Sequence, residues 1–180
     1  MIEQQTADES VVLVDVNDVA LGTMEKMEAH VTGTLHRAIS VFVFNSSGDF
    51  LLQQRAAEKY HSAGKWSNTC CSHPRSGELN MDAARRRLRE EMGMECALEE
   101  WFNFVYRAEF DNGLIEHEYD HVFVGKCDEL PKPNPQEVAA FRYIGRETLN
   151  ADIEQNSDNY TEWFKICLKE INQQQNADSL

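Results

Sequence analysis

The sequence predicts a mixed α/β protein of the α+β kind, an α/β/α sandwich with a mixed sheet and a central carboxylate-bearing helix. Three observations predict it. Apolar runs bounded by turn residues occur both before and after one strongly helical segment. That segment, MDAARRRLREEMG at 81–93, is rich in good helix formers, spaces Ala84, Leu88 and Met92 on one face, and ends at Gly93. A last amphipathic stretch, 157–171, has helical spacing again. Strands on both sides of a central helix, followed by a final helix, bury their apolar faces by stacking in layers.

In chain order, VVLVDV (11–16) is a strand by its β-branched run, and ISVFVFN (39–45) and DFLLQQR (49–55) are the next two. Ser46-Ser47-Gly48 makes a tight hairpin turn between them. A polar loop spans 56–66, before the helix at 81–93. WFNFVYRAEF (101–110) and LIEHEYDHVFVG (114–125) are strands joined at Asp111-Asn112-Gly113. PKPNP (131–135) is a rigid connection, and FRYIG (141–145) a short strand. Residues 1–9 read as a loose arm and 173–180 as a frayed polar tail of a single 1–180 domain.

Bulk properties narrow the function. The 180 residues suffice for one domain with a sizeable core. A net charge of −14 argues against nucleic acid as a partner, because phosphate backbones need a basic face. It leaves room for a small phosphorylated ligand gripped by a few local cations and metal ions. No run of about 18 apolar residues is present, so no membrane span is expected. The start, MIEQQTADES, lacks the basic and apolar regions of a signal peptide. With five cysteines, an odd count that includes the adjacent Cys70 and Cys71, this points to reduced thiols and a cytoplasmic protein. A monomer or weak dimer is expected.

Candidate site residues fall in three clusters. Glu78, Glu90 and Glu91 bracket the helix at 81–93, where residues a few turns apart share a face and can meet one cation. A solvated helix laced with Arg–Glu pairs is the rival reading. His30, His36 and His73 stand in short polar segments. Glu116 and Glu118 sit two apart on a strand and so point the same way. Three imidazoles and two carboxylates suit a divalent transition ion or Zn²⁺, with Mg²⁺ or Mn²⁺ in competition. His61, His117 and His121 read as surface or hydrogen-bonded residues.

The helix resembles the Nudix box. Glu78, Arg86, Leu88, Glu90-Glu91 and Gly93-Met94 fall on its positions, while Ser72 replaces its opening glycine and Arg87 a glutamate. The ordered set EKMEAHVTGTLHRAIS, WSNTCCSH, the degenerate box, and YRAEF with IEHEYD is similar to the type 1 isopentenyl-diphosphate isomerase family over roughly residues 11–165. That resemblance implies a Nudix-like fold and a double-bond shift between isopentenyl and dimethylallyl diphosphate, through a tertiary carbocation. It implies Cys71 and Glu118 as the acid–base pair, with Cys70 as packing. Tyr106 orients or relays the proton at Glu118, or else packs in the sheet. Trp163 offers a π face to the cation, or else belongs to the helix core. Lys26, Arg55, Lys59 and Arg87 would hold the diphosphate, Arg87 having turned a hydrolytic carboxylate into a phosphate clamp. Mg²⁺ would bridge the diphosphate to Glu91 and the Cys71 backbone carbonyl, and a further divalent ion would take His30, His36, His73, Glu116 and Glu118. Ser72, beside the thiol, would be strained if that position required a positive φ.

Two other readings compete: a Nudix diphosphohydrolase acting on a nucleoside diphosphate derivative, which shares the fold, and a non-catalytic metal-binding protein. A hydrolase needs neither thiol nor tryptophan, and a binder needs no acid–base pair beside a diphosphate clamp.

Overall fold

A computed structural model describes residues 10–59, 62–110 and 112–177. Nine strands form one mixed sheet: β1 (Ser10–Val14), β2 (Ala20–Glu25), β3 (His36–Phe44), β4 (Phe50–Arg55), β5 (Trp66–Ser67), β6 (Cys70–Ser72), β7 (Leu98–Glu109), β8 (Ile115–Lys126) and β9 (Val138–Ile144). The helices are α1 (Lys26–Thr32), α2 (Asn80–Met92), α3 (Arg146–Gln155) and α4 (Glu162–Ala177).

The centre of the sheet is β3. One edge runs parallel to β8 over its whole length, from His36 opposite Glu118 to Phe44 opposite Lys126. Its other edge is shared in series by β1 at His36, β6 at Ile39–Val41 and β4 at Phe44. Outside β8 lies β7, antiparallel, with Tyr106 opposite Glu118. Glu118 therefore has His36 on one neighbouring strand and Tyr106 on the other, a row set by register alone.

Alternation along β3 divides the core in two. Ile39, Val41 and Val43 point to the face covered by α2, where Ala83, Ala84, Leu88 and Met92 are buried against them with Leu51, Cys70 and Phe123. Phe42 points the other way, into an aromatic cluster with Phe50, Tyr160, Trp163 and Phe164 under α3 and α4. This is the expected α/β/α sandwich. Gly93 ends α2 in the left-handed conformation, φ 61°, and a Cβ there would lie 2.3 Å from the Lys132 carbonyl oxygen. That close approach lets the 131–137 segment cap the helix: Lys132 N donates to Met92 O at 2.8 Å and Asn134 N to Glu91 O at 2.9 Å.

Some expectations are corrected. The predicted helix over 157–171 is a 3-10 turn at Ser157–Asn159, an extended Tyr160-Thr161, and then α4. The tail read as frayed from 173 continues α4 to Ala177, because Cys167, Leu168 and Ile171 keep one face of the helix buried. β3 begins at His36, three residues earlier than read, which is what brings that histidine into the ladder. The strand β2 and the helices α1 and α3 were not foreseen. The loose arm at 1–9 and the surface reading of His61 lie outside the described residues, as does Asp111 of the β7–β8 turn. No helix among the described residues is long and apolar enough to cross a membrane.

Candidate active site

A cavity of roughly 700 Å³, including its open mouth, runs between β3, β6, β8 and the ends of α1, α2 and α4. The predicted catalytic, metal and diphosphate residues line it, His36 excepted, which lies buried behind.

At one end, His30, His36, His73 and Glu118 each bring one ligand atom to within 4.8 Å of all the others. Local hydrogen bonds aim them. His30 Nδ1 donates to the Lys26 carbonyl at 2.6 Å within α1, and His36 Nδ1 to the Thr34 carbonyl at 2.8 Å. Because those carbonyls only accept, the Nε2 lone pairs face inward. His36 Nε2 is buried without a hydrogen-bond partner, 3.5 Å from Glu118 Oε1. His73 Nε2 stands 3.0 Å from the same oxygen. Burial lowers His30, and pulls His73 down to about 4, so both imidazoles are neutral at pH 7. A buried nitrogen without a partner, neutral imidazoles and one carboxylate make a donor set that fits a divalent cation. Glu116, the fifth expected donor, is turned to Tyr106 instead: the Tyr106 hydroxyl lies 3.1 Å from Glu116 Oε2 and 2.7 Å from Glu118 Oε2.

These two carboxylates differ. Burial, then the charge of Glu118, pushes Glu116 well up. Burial would raise Glu118 too, but the adjoining His36 and His73 imidazoles outweigh it and hold it well down. Burial, then Glu116, keeps the Tyr106 phenol protonated.

At the other end the groups are paired ions. Glu91, 5% exposed on α2, receives Arg87 at 2.7 and 3.0 Å on Oε1 and Gln53 Nε2 at 2.7 Å on Oε2. Arg87 also meets Glu90 at 2.8 Å. Arg87 and Lys59 converge on Glu137. Arg55 stands 5.0 Å from the centre of the Trp163 ring, and Trp163 Nε1 donates to Ser67 Oγ at 2.9 Å. Lys26, at the start of α1, lines the histidine side.

Between the ends sits Cys71. Alternation in β6 sends Cys70, fully buried, into the α2 core and Cys71 to the cavity, the division expected of the two thiols. Burial, followed by the nearby Glu91 charge, raises the Cys71 thiol, which keeps its proton at neutral pH. Ser72 pairs with Ile39 in β6 and is absent from the positive-φ residues, so the strain expected there does not arise.

Several expected residues take structural parts. Glu78 holds Arg86 at 2.7 and 2.9 Å. His117 Nδ1 lies 3.0 Å from the Gly33 carbonyl, and His121 is clasped between Glu100 and Asp18. Sequence reasoning missed Gln53, Glu137, and a buried group beside the cavity in which Ser40 Oγ donates to Asp120 Oδ2 at 2.8 Å and Cys167 Sγ lies 3.2 Å from that oxygen. Gln53 and Glu137 carry no motif. Ser40 lies directly opposite Cys71 across the β3–β6 ladder, a pairing visible only once the register is known.

Comparison with known proteins places the chain in a family and a fold. The NUDIX domain profile matches residues 34–164. The isopentenyl-diphosphate Delta-isomerase of Pectobacterium atrosepticum is 53% identical over 161 residues, 89% of this chain and 90% of its own. Isopentenyl-diphosphate Delta-isomerase 1 of Aromatoleum aromaticum is 52% identical over 164 residues, 91% of this chain and 93% of its own. Among solved structures, DR0079 of Deinococcus radiodurans superposes with a TM-score of 0.71 at 19% identity, over 88% of this chain and 96% of that one. The MutT protein of Methanosarcina mazei Go1 superposes with a TM-score of 0.63 at 16% identity, over 78% and 95%. At such identities the structural likeness speaks for the fold alone.

Proposed function

The chain belongs to the isopentenyl-diphosphate Delta-isomerase family of NUDIX-domain proteins, and from that membership we propose that it is an isomerase interconverting isopentenyl and dimethylallyl diphosphate for isoprenoid synthesis. The observation that carries the site assignment is that Cys71 and the Tyr106–Glu118 pair face one cavity together with Arg55, Lys59 and Arg87.

The chemistry needs one proton added and one removed. An acid gives a proton to the terminal CH₂ carbon, and the π electrons form the new C–H bond of a methyl group. The neighbouring carbon becomes a tertiary cation. A base then takes a proton from the carbon nearer the diphosphate, and that electron pair forms the new double bond. No electron leaves or enters, so no redox group is required. Cys71, which holds its proton, and Glu118, which is ionised, supply one donor and one acceptor. The reverse reaction exchanges their parts. Tyr106 orients Glu118 by the hydrogen bond to its Oε2. Trp163 gives the cation a π face, an attraction of ~2 kcal/mol where the cation is desolvated.

Lys26, Arg55, Lys59 and Arg87 are the proposed diphosphate contacts. Glu91 and the Cys71 backbone carbonyl would hold Mg²⁺, and His30, His36, His73, Glu118 and, after reorientation, Glu116 a second divalent ion such as Mn²⁺, Zn²⁺ or Mg²⁺. Bound there, these ions would neutralise diphosphate charge and set the charge on Glu118. One chain supplies every residue, so a monomer suffices. The acidic surface fits a small anionic substrate met by local cations and not a nucleic acid.

Hydrolysis of a nucleoside diphosphate derivative has less support. The solved structures named as hydrolases are likenesses of fold below 19% identity, and Arg87 stands where the box expects a glutamate. Cys71→Ala separates the two: isomerisation of isopentenyl diphosphate should disappear, whereas metal-assisted release of phosphate from a nucleotide would persist. Unchanged isomerisation in Cys71→Ala would overturn the assignment of the thiol.

A further inference from the structure

Among the described residues, Glu137 is the one carboxylate that faces the cavity from outside the sheet and the helices. The PKPNP segment carries it there by capping α2, and its backbone is pinned on both sides: Glu137 N donates to Asn134 O at 3.0 Å, and Ala56 N donates to Glu137 O at 3.0 Å. Its Oε2 is ion-paired with Lys59 Nζ and lies 3.5 Å from Arg87 Nη2. A single anionic oxygen between an ammonium and a guanidinium is the arrangement a phosphate oxygen takes on the same two groups. The side chain is 25% exposed, at the open rim of the cavity, so it has somewhere to go.

We propose that Glu137 is a built-in competitor for the diphosphate: its carboxylate occupies the anion position on Lys59 and Arg87 in the empty site and yields it when a diphosphate enters. This rests on reading the cavity as a diphosphate site. The consequence is a specific kinetic role. Substrate and product of the isomerisation carry the same diphosphate, so a group that opposes diphosphate binding weakens both equally and leaves the chemical step alone. Such a group raises KM and speeds product release. It also gives Lys59 an ion partner when no ligand is present.

The test is calorimetric titration of inorganic pyrophosphate into the wild-type chain and Glu137→Gln, without and then with Mg²⁺. Glutamine keeps the shape and removes the charge. The expected result is binding on the order of tenfold tighter without metal, a tenfold change being one kinetic or equilibrium decade of ~1.4 kcal/mol. KM for isopentenyl diphosphate should fall by a similar factor while kcat does not rise. Glu137→Asp, whose carboxylate is drawn back from Lys59, should give a smaller gain and serves if the glutamine variant does not fold. Unchanged pyrophosphate affinity in a folded variant would mean that Glu137 only pins the loop, and would overturn the proposal. Weaker binding confined to the Mg²⁺ titration would make it a metal ligand, and would also overturn it. A wild-type chain that binds pyrophosphate but does not isomerise isopentenyl diphosphate would retire the isomerase reading and leave the competitor role to be decided by the glutamine variant. If neither chain binds pyrophosphate, the competitor role falls.

Discussion

The two ends of the cavity settle their charges in opposite ways. At the His30–His36–His73–Glu118 end, three imidazoles surround one carboxylate, and His36 Nε2 is buried with no hydrogen-bond partner. At the Arg87–Glu91–Glu137 end, cations and carboxylates pair directly, and Gln53 completes Glu91. The first end is a donor set that fits a divalent cation. The second is paired within itself, so an anionic ligand there would have to displace a carboxylate. The difference teaches that a site for an anionic substrate in a chain of net charge −14 does not depend on an excess of basic residues. On the proposed reading it depends on where a few cations can change partners.

The largest test of that contrast lies between the ends. Cys71→Ala should reduce kcat by about 10³-fold or more, in the range of a lost acid–base group, while pyrophosphate affinity stays near wild type. A parallel fall in pyrophosphate affinity would show that the thiol helps form the diphosphate end. Next, Arg87→Met should cost about 3 kcal/mol of stability in denaturant unfolding, because it strips a buried Glu91 of its ion partner. Adding Glu91→Gln should recover part of that loss. A double variant no more stable than the single one would contradict the picture of a complete, charge-paired end.

The histidine end should respond to metal rather than to denaturant. Changes outside a ligand shell cost 10–100-fold in metal affinity, so His36→Gln should weaken divalent-cation binding by at least about tenfold. It should leave the metal-free protein as stable as the wild type or more so, because a buried nitrogen with no hydrogen-bond partner is replaced. The smallest effect belongs to Glu78, away from both ends. Its hydrogen bond from Arg86 holds the carboxyl below its ordinary 4.5. A depressed carboxyl stabilises the fold above the unfolded value and loses that contribution as pH falls through the folded one. Solvent screening leaves this at about 0.5–1 kcal/mol. Glu78→Gln should therefore be less stable than wild type at pH 7, with the two curves converging as pH falls below 4.5.

Much of this was legible in the sequence where a pattern and its chemistry coincide. The helix at 80–92 shows itself by composition, spacing and its glycine stop. Cys71 and His73, and Glu116 and Glu118, follow from alternation in short extended runs. The missed elements lack such marks. β2 is exposed at almost every position and contains Gly22, so no alternation reports it. α1 has only seven residues and is capped by Glu25, an unusual N-cap whose carboxylate accepts from Met27 N and Glu28 N. α3 has one buried residue, Leu149, and so no apolar stripe. Glu137 was hidden for another reason. It follows a proline-rich connection that reads as a spacer, and it reaches the cavity because Gly93 lets that connection close over the end of α2. The row His36–Glu118–Tyr106 depends on a parallel pairing of strands some eighty residues apart, which no local pattern encodes.

The most direct test of the isomerase account is proton exchange followed by NMR. The pure protein is incubated with isopentenyl diphosphate and Mg²⁺ in heavy water. The account predicts dimethylallyl diphosphate with deuterium in the new methyl group, and no free phosphate or pyrophosphate. Isopentenyl diphosphate left unchanged by the metal-loaded protein would contradict it.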